Sequence, residues 1–174
     1  MTPLNALIPS AVCFVALTLC AATDLLRGRI PNAITVPAAT GAVVYHGIVN
    51  GPLNGTLFSL AGLVIGCGLL IVPFAMGGMG GGDVKLLGAL GAWHGSADII
   101  HIFVYVGIVG ALWSLVKLFR QKCIGAVLRQ LLQDGYQFML TRRWPQMVLS
   151  GEKIPYGIAI GSGYLLFEIY GSIL

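Results

Sequence analysis

Residues 57–85 read LFSLAGLVIGCGLLIVPFAMGGMGGGDVK. The stretch 57–76 is apolar apart from Ser59 and carries no charge. About 20 such residues are what a helix needs to cross a bilayer core. The run ends in a glycine-rich loop, Gly77–Gly82, and the first charges after it are Asp83 and Lys85. A spanning helix therefore delivers a carboxylate to the edge of the membrane. The whole composition agrees: 57% of residues are hydrophobic and 9% charged, with a mean hydropathy of +0.89. A soluble domain carries about a quarter charged residues, so a bilayer is the solvent this chain expects.

Working outward, residues 4–23 form a first predicted span. Arg27 and Arg29 follow it, so this turn is expected in the cytoplasm and the N-terminus outside. With no basic stretch ahead of it, the span reads as retained rather than as a cleaved signal. Residues 33–49 form the second, entered through Pro31 and Asn32. Asn50–Gly55 is an uncharged outer turn, and 57–76 is the third span. Val84–Trp93 is apolar but short: at about 1.5 Å per residue it covers about half of a bilayer core. His94–Asp98 interrupts it before a clear span at 99–118. Basic residues resume at Lys117, so the chain must cross out and back, and the short fourth helix is retained. Residues 121–140 have apolar positions at helical spacing among Arg129, Gln130, Gln133 and Asp134. They read as a cytoplasmic amphipathic helix on the membrane or on the protein, with Arg142, Arg143 and Trp144 as headgroup anchors. Residues 154–174 form the last span. The expectation is an all-α polytopic membrane protein of about six helices, one membrane-embedded domain over 1–174.

The net charge is +4, gathered in clusters between spans and without interleaved aromatics. That excludes a nucleic-acid surface and makes membrane lipid the expected neighbour. Cys13, Cys20, Cys67 and Cys123 form no CxxC pair, so they read as packing residues; no metal or cofactor is expected.

The chain has six acidic residues. A carboxylate near hydrocarbon is costly, so each needs a reason. The predicted topology puts Asp24 at the cytoplasmic end of helix 1 and Asp83 at the cytoplasmic start of helix 4. Two carboxylates at one depth can share a proton, because like charges in close contact cannot both ionise. One then takes a proton from water and the other donates to a carbonyl oxygen. The pair titrates as a unit, so neither is assigned acid or base. The glycines before Asp83, Gly80 and Gly82 among them, permit a substrate strand to approach the backbone closely. Lys85 would bias the pair electrostatically or reach the headgroups. The bland alternatives are an Asp24 ion pair with Arg27 or Arg29, and Asp83 as a helix N-cap. Asp98 and Ser96 read as caps of helix 5, His94 and His101 as interfacial structural residues. Glu168 is an intramembrane acid of unassigned partner.

Gly80–Asp83 with Lys85 resembles the GxGDxK motif of type IV prepilin peptidases. Asp24 with Arg27, Arg29 and Ile30-Pro31-Asn32 is similar to that family's first aspartate region. Lys153-Ile154-Pro155-Tyr156-Gly157 resembles the segment before its last helix. The resemblance spans nearly the whole chain. It implies an aspartic endopeptidase that cleaves prepilins at the cytoplasmic membrane face, with Asp24 and Asp83 catalytic. Gly80, Gly82, Lys85, Pro31, Asn32 and Pro155 would support the site. The implied substrate has a basic leader and a hydrophobic helix. Larger members carry a CxxC-bearing insert and also N-methylate; only 24–32 separates helices 1 and 2 here, which implies the short form and cleavage without methylation. A non-enzymatic ion-coupled transporter, drawing on Glu168 and the broken helix, and an idle pilus-assembly subunit stay open as alternatives. A presenilin-like protease would need a tyrosine where Thr23 stands.

Overall fold

The structure is a computed structural model and describes residues 3–120 and 156–171. Five helical elements follow one another: α1 (Pro3–Arg27), α2 (Asn32–Val49), α3 (Pro52–Ala75), α4 (Gly81–Arg120) and α5 (Tyr156–Tyr170). No strand occurs among the described residues. The expected amphipathic segment 121–140, its anchors Arg142, Arg143 and Trp144, and the residues Lys153, Ile154 and Pro155 lie outside the described residues.

Turn chemistry sets the helix ends. Gly28 has a φ of 61° and its N–H returns to the Asp24 carbonyl at 2.8 Å, a left-handed closure that glycine supplies without strain. Pro31 is extended at the N-cap of α2. Between α2 and α3 the turn is only Asn50-Gly51, shorter than expected, because Pro52 fits the first turn of a helix, where no N–H is needed. Gly55, expected in that turn, is instead buried inside α3, where a Cβ would collide with the His46 carbonyl.

The interruption between the expected fourth and fifth helices is narrower than residues 94–98. The fourth and fifth helices are one element, α4, broken at Gly95 alone (φ 84°, ψ −177°). Ser96 and Asp98 are already helical, so neither caps the second arm; Gly95 stands at that position. The break removes the next-turn donors of the first arm's last carbonyls. Two neighbouring helices replace them. Ser59 on α3 donates its hydroxyl to the Ala92 carbonyl at 2.6 Å. His46 on α2 places Nε2 3.0 Å from the Trp93 carbonyl, while its Nδ1 is 3.1 Å from the Asn50 side-chain nitrogen. A carbonyl only accepts and an amide nitrogen only donates, so the network assigns the proton of this buried ring to Nε2. Replacing Ser59 with Ala or His46 with Phe strands a buried carbonyl. Each is expected to cost about 1–3 kcal/mol, read as a lowered melting temperature in detergent.

The core lies where α3 meets the first arm of α4. The buried face of α3 is Gly55, Ser59, Gly62, Gly66 and Leu70, a stripe at helical spacing. Gly62 lies against the Gly91 carbonyl and Gly91 against the Gly62 carbonyl, so a Cβ at either would strike backbone. Small residues let helices approach this closely, which is how packing binds helices in lipid. Cys13 and Cys20 are buried with Leu86, Leu87 and Leu90 in the same core. The opposite faces are apolar and exposed, as at Leu57, Val64 and Ile71. Leu7–Arg27, Pro52–Ala75 and Gly81–Val116 are long and apolar enough to cross a membrane. The other two expected spans, 33–49 and 154–174, are not in that group; α2 has 18 residues and the described part of the last has 15.

Candidate active site

Asp24 is in the last turn of α1, half-buried. Its Oδ2 accepts the Gly157 N–H at 3.1 Å. Gly157 is in the first turn of α5, where amides have no partner in the helix and the dipole favours an anion. A Cβ on Gly157 would stand 3.0 Å from that oxygen. The carboxylate is thus held by a backbone donor that only a residue without a side chain presents so closely. This is the hydrogen bond Asp24 makes, rather than an ion pair with Arg27 or Arg29.

Asp83 is buried, with 6% of its surface exposed. Gly80 N–H donates to its Oδ2 at 3.1 Å, and Asp83 N–H donates to the Gly80 carbonyl at 3.1 Å. An acid in the first turn reaching back to the amide before the helix is half of a capping box. Asp83 is therefore not the N-cap itself; Gly80 holds that place. The Asp83 Oδ1 is buried and has no hydrogen-bond partner among the described residues.

Gly82 brings these two neighbourhoods together. A Cβ there would be 2.8 Å from the Ile30 Cβ, so the loop after Asp24 rests on the start of α4. The carboxylates lie within electrostatic range of each other, Cys20 lies within range of both, and Tyr156 within range of Asp83. Among the described residues the side-chain charge that acts on Asp83 is that of Asp24, and the Lys85 ammonium donates to Asn32 Oδ1 at 2.9 Å. Beside the acids is a cleft of about 420 Å³ lined by Thr23, Arg27, Arg29, Ile30, Pro31 and Asn32. Pro155, expected to support the site, is outside the described residues.

His94, next to the break in α4, joins a polar group on α5. Tyr164 donates its hydroxyl to Glu168, and the His94 Nε2 lies 3.1 Å from the Tyr164 oxygen. Glu168 therefore has a partner on its own helix. Sequence reasoning placed Gly157 in a family-like segment without giving it a role, and missed His46 and Ser59. A buried backbone donor leaves no residue-type signal. The histidine and serine could have been found only by asking what receives the carbonyls of a helix known to be broken.

The profile described as type IV leader peptidase family matches residues 11–115, a range that holds both acids, Gly80–Gly82 and Lys85. The chain belongs to the type IV leader peptidase family. Two curated relatives, each named prepilin leader peptidase/N-methyltransferase, come from Burkholderia pseudomallei strains 1026b and K96243. Each is 34% identical over 129 residues, covering 64% of this chain and 40% of the relative. The chain thus spans less than half of the length of the curated relatives it matches. No solved structure matches it at a significant level.

Proposed function

We infer that the protein is an intramembrane aspartic endopeptidase that removes the basic leader from prepilin-like precursors at the cytoplasmic face of the membrane. The observation that carries this reading is the convergence of Asp24 and Asp83. They come from separate helix ends, lie within electrostatic range of each other, and leave one buried oxygen, Asp83 Oδ1, without a partner among the described residues. A family match over both acids supports it.

In the proposed mechanism, the ionised member of the pair takes a proton from water as the oxygen attacks the scissile carbonyl. The protonated member gives its proton to the carbonyl oxygen, forming a tetrahedral diol. Collapse of the diol returns a proton to the leaving amine and breaks the C–N bond. A hydrophobic substrate helix would remain in lipid while its charged leader stays in water. The α1–α2 link runs only from Gly28 to Pro31, which supports cleavage without methylation.

The test is reconstitution in liposomes with a precursor that has a basic leader followed by an apolar helix. Release of the leader is expected. Ion flux through the same liposomes with no cleavage would favour the transporter reading instead. A second expectation concerns Gly157. Replacement by Ala puts a methyl 3.0 Å from Asp24 Oδ2 and displaces the carboxylate. A misplacement of about 1 Å costs roughly 100-fold in rate, and a few tenths of an ångström relieve this contact, so kcat should fall by only about fourfold while melting temperature changes little.

A further inference from the structure

We propose that the Lys85–Asn32 hydrogen bond is a clasp that sets the separation of Asp24 and Asp83, making both residues positioning residues for cleavage. This rests on the reading of the two acids as a catalytic pair. The acids belong to α1 and α4, yet α1 packs chiefly on α5 and α2 and less on α4. Direct packing of the two helices is therefore a weak control of the gap between the carboxylates. The chain after Asp24 turns through Gly28, at φ 61°, and enters α2 at Asn32. Two contacts tie that segment to the start of α4. One is the close seat of Ile30 on Gly82, which is non-directional. The other is Lys85 Nζ to Asn32 Oδ1 at 2.9 Å, which fixes register as well as distance.

The chemistry suits a clasp. Lys85 stands two residues beyond Asp83, on the same first turns of α4, and its side chain is exposed. Its stem is long enough to reach a neighbouring helix, and the ammonium finds a neutral amide oxygen there. A neutral acceptor leaves the site's charge unchanged, so the bond acts on geometry. Asn32 begins α2 and Lys85 is near the start of α4, so one bond joins the two helix starts that flank the acids.

The experiment uses the full chain in liposomes with the precursor substrate. Lys85→Met and Asn32→Leu should each lower kcat by roughly 10–100-fold with KM within about twofold of the parent, as expected of misaligned reacting groups. The double variant should fall no further than the worse single, since both remove the same bond. Lys85→Arg, which still offers an N–H to Asn32, should recover most of the loss. A rise in KM alone, losses that multiply in the double variant, or an equal loss in Lys85→Arg would each overturn the clasp.

A second measurement needs no activity. With the four native cysteines replaced by Ala, Asp24→Cys and Asp83→Cys are joined by a short thiol-reactive linker. Lys85→Met should reduce the yield of linked product, and Lys85→Arg should restore it. A parent that fails to cleave while this yield depends on Lys85 would sink the peptidase reading and leave the clasp standing. A parent that cleaves while the yield ignores Lys85→Met would sink the clasp alone.

Discussion

Asp24→Asn and Asp83→Asn are each expected to abolish leader cleavage while the protein remains folded in the membrane. Asn is nearly isosteric with Asp and keeps a side-chain oxygen. At position 24 it can still accept the Gly157 N–H, and at position 83 the Gly80 N–H. What it loses is the exchangeable proton and the charge. General acid–base catalysis by one group is worth roughly 10²–10⁴-fold, and groups that act as a unit lose nearly everything when either is removed. The double variant should therefore be no worse than either single one. The measurement is single-turnover cleavage beside a melting curve. Cleavage by either variant within about tenfold of the parent would contradict the dyad, since such a small loss lies below what an essential acid or base supplies.

The second large effect concerns packing. Gly62→Leu is expected to prevent the native fold, and Gly91→Leu likewise. At both positions a side chain must enter space held by the backbone of the facing helix. Ordinary overpacking of a core costs about 1–3 kcal/mol. That figure assumes neighbouring side chains that can move, and a carbonyl inside a helix does not. The cost should exceed the range, and the readout is recovery of folded monodisperse protein from membranes. Gly68→Ala is the control on the same helix: a Cβ there meets nothing within 4 Å. It should be neutral or stabilising by up to about 1 kcal/mol, because Ala is the better helix former. Equal loss in Gly68→Ala would show that α3 needs glycine for reasons other than the contact with α4.

Much of this was legible before any coordinates. The apolar runs marked the helices because lipid leaves backbone groups no partner outside a helix. Arg27 and Arg29 and the glycine-bearing stretch 50–55 marked two of their ends, the second to within a few residues. Cost marked the acids: a carboxylate in so oily a chain needs a purpose, and Asp24 and Asp83 shared a depth by charge topology alone. The loop count was less legible. Residues 94–98 looked like a full interruption, yet one glycine makes the break and the helix resumes at once. Local polarity could not distinguish a loop from a bend whose loose carbonyls are received by Ser59 and His46 on other helices.

The approach of Asp24 and Asp83 was thus foreseeable as to residue and helix end. Those follow from hydropathy and charge, which are properties of the chain read in order. Tertiary structure decided the rest: that Gly157 holds Asp24, that Gly80 rather than Asp83 caps α4, that Ile30 seats on Gly82, and that Lys85 ends on Asn32. Apart from the cap, which is a local bond three residues apart, each depends on which surfaces meet across long sequence separations. The stripe Gly55, Ser59, Gly62, Gly66 shows why. Small residues at helical spacing state that a helix can come close; only the assembled bundle states that it is α4.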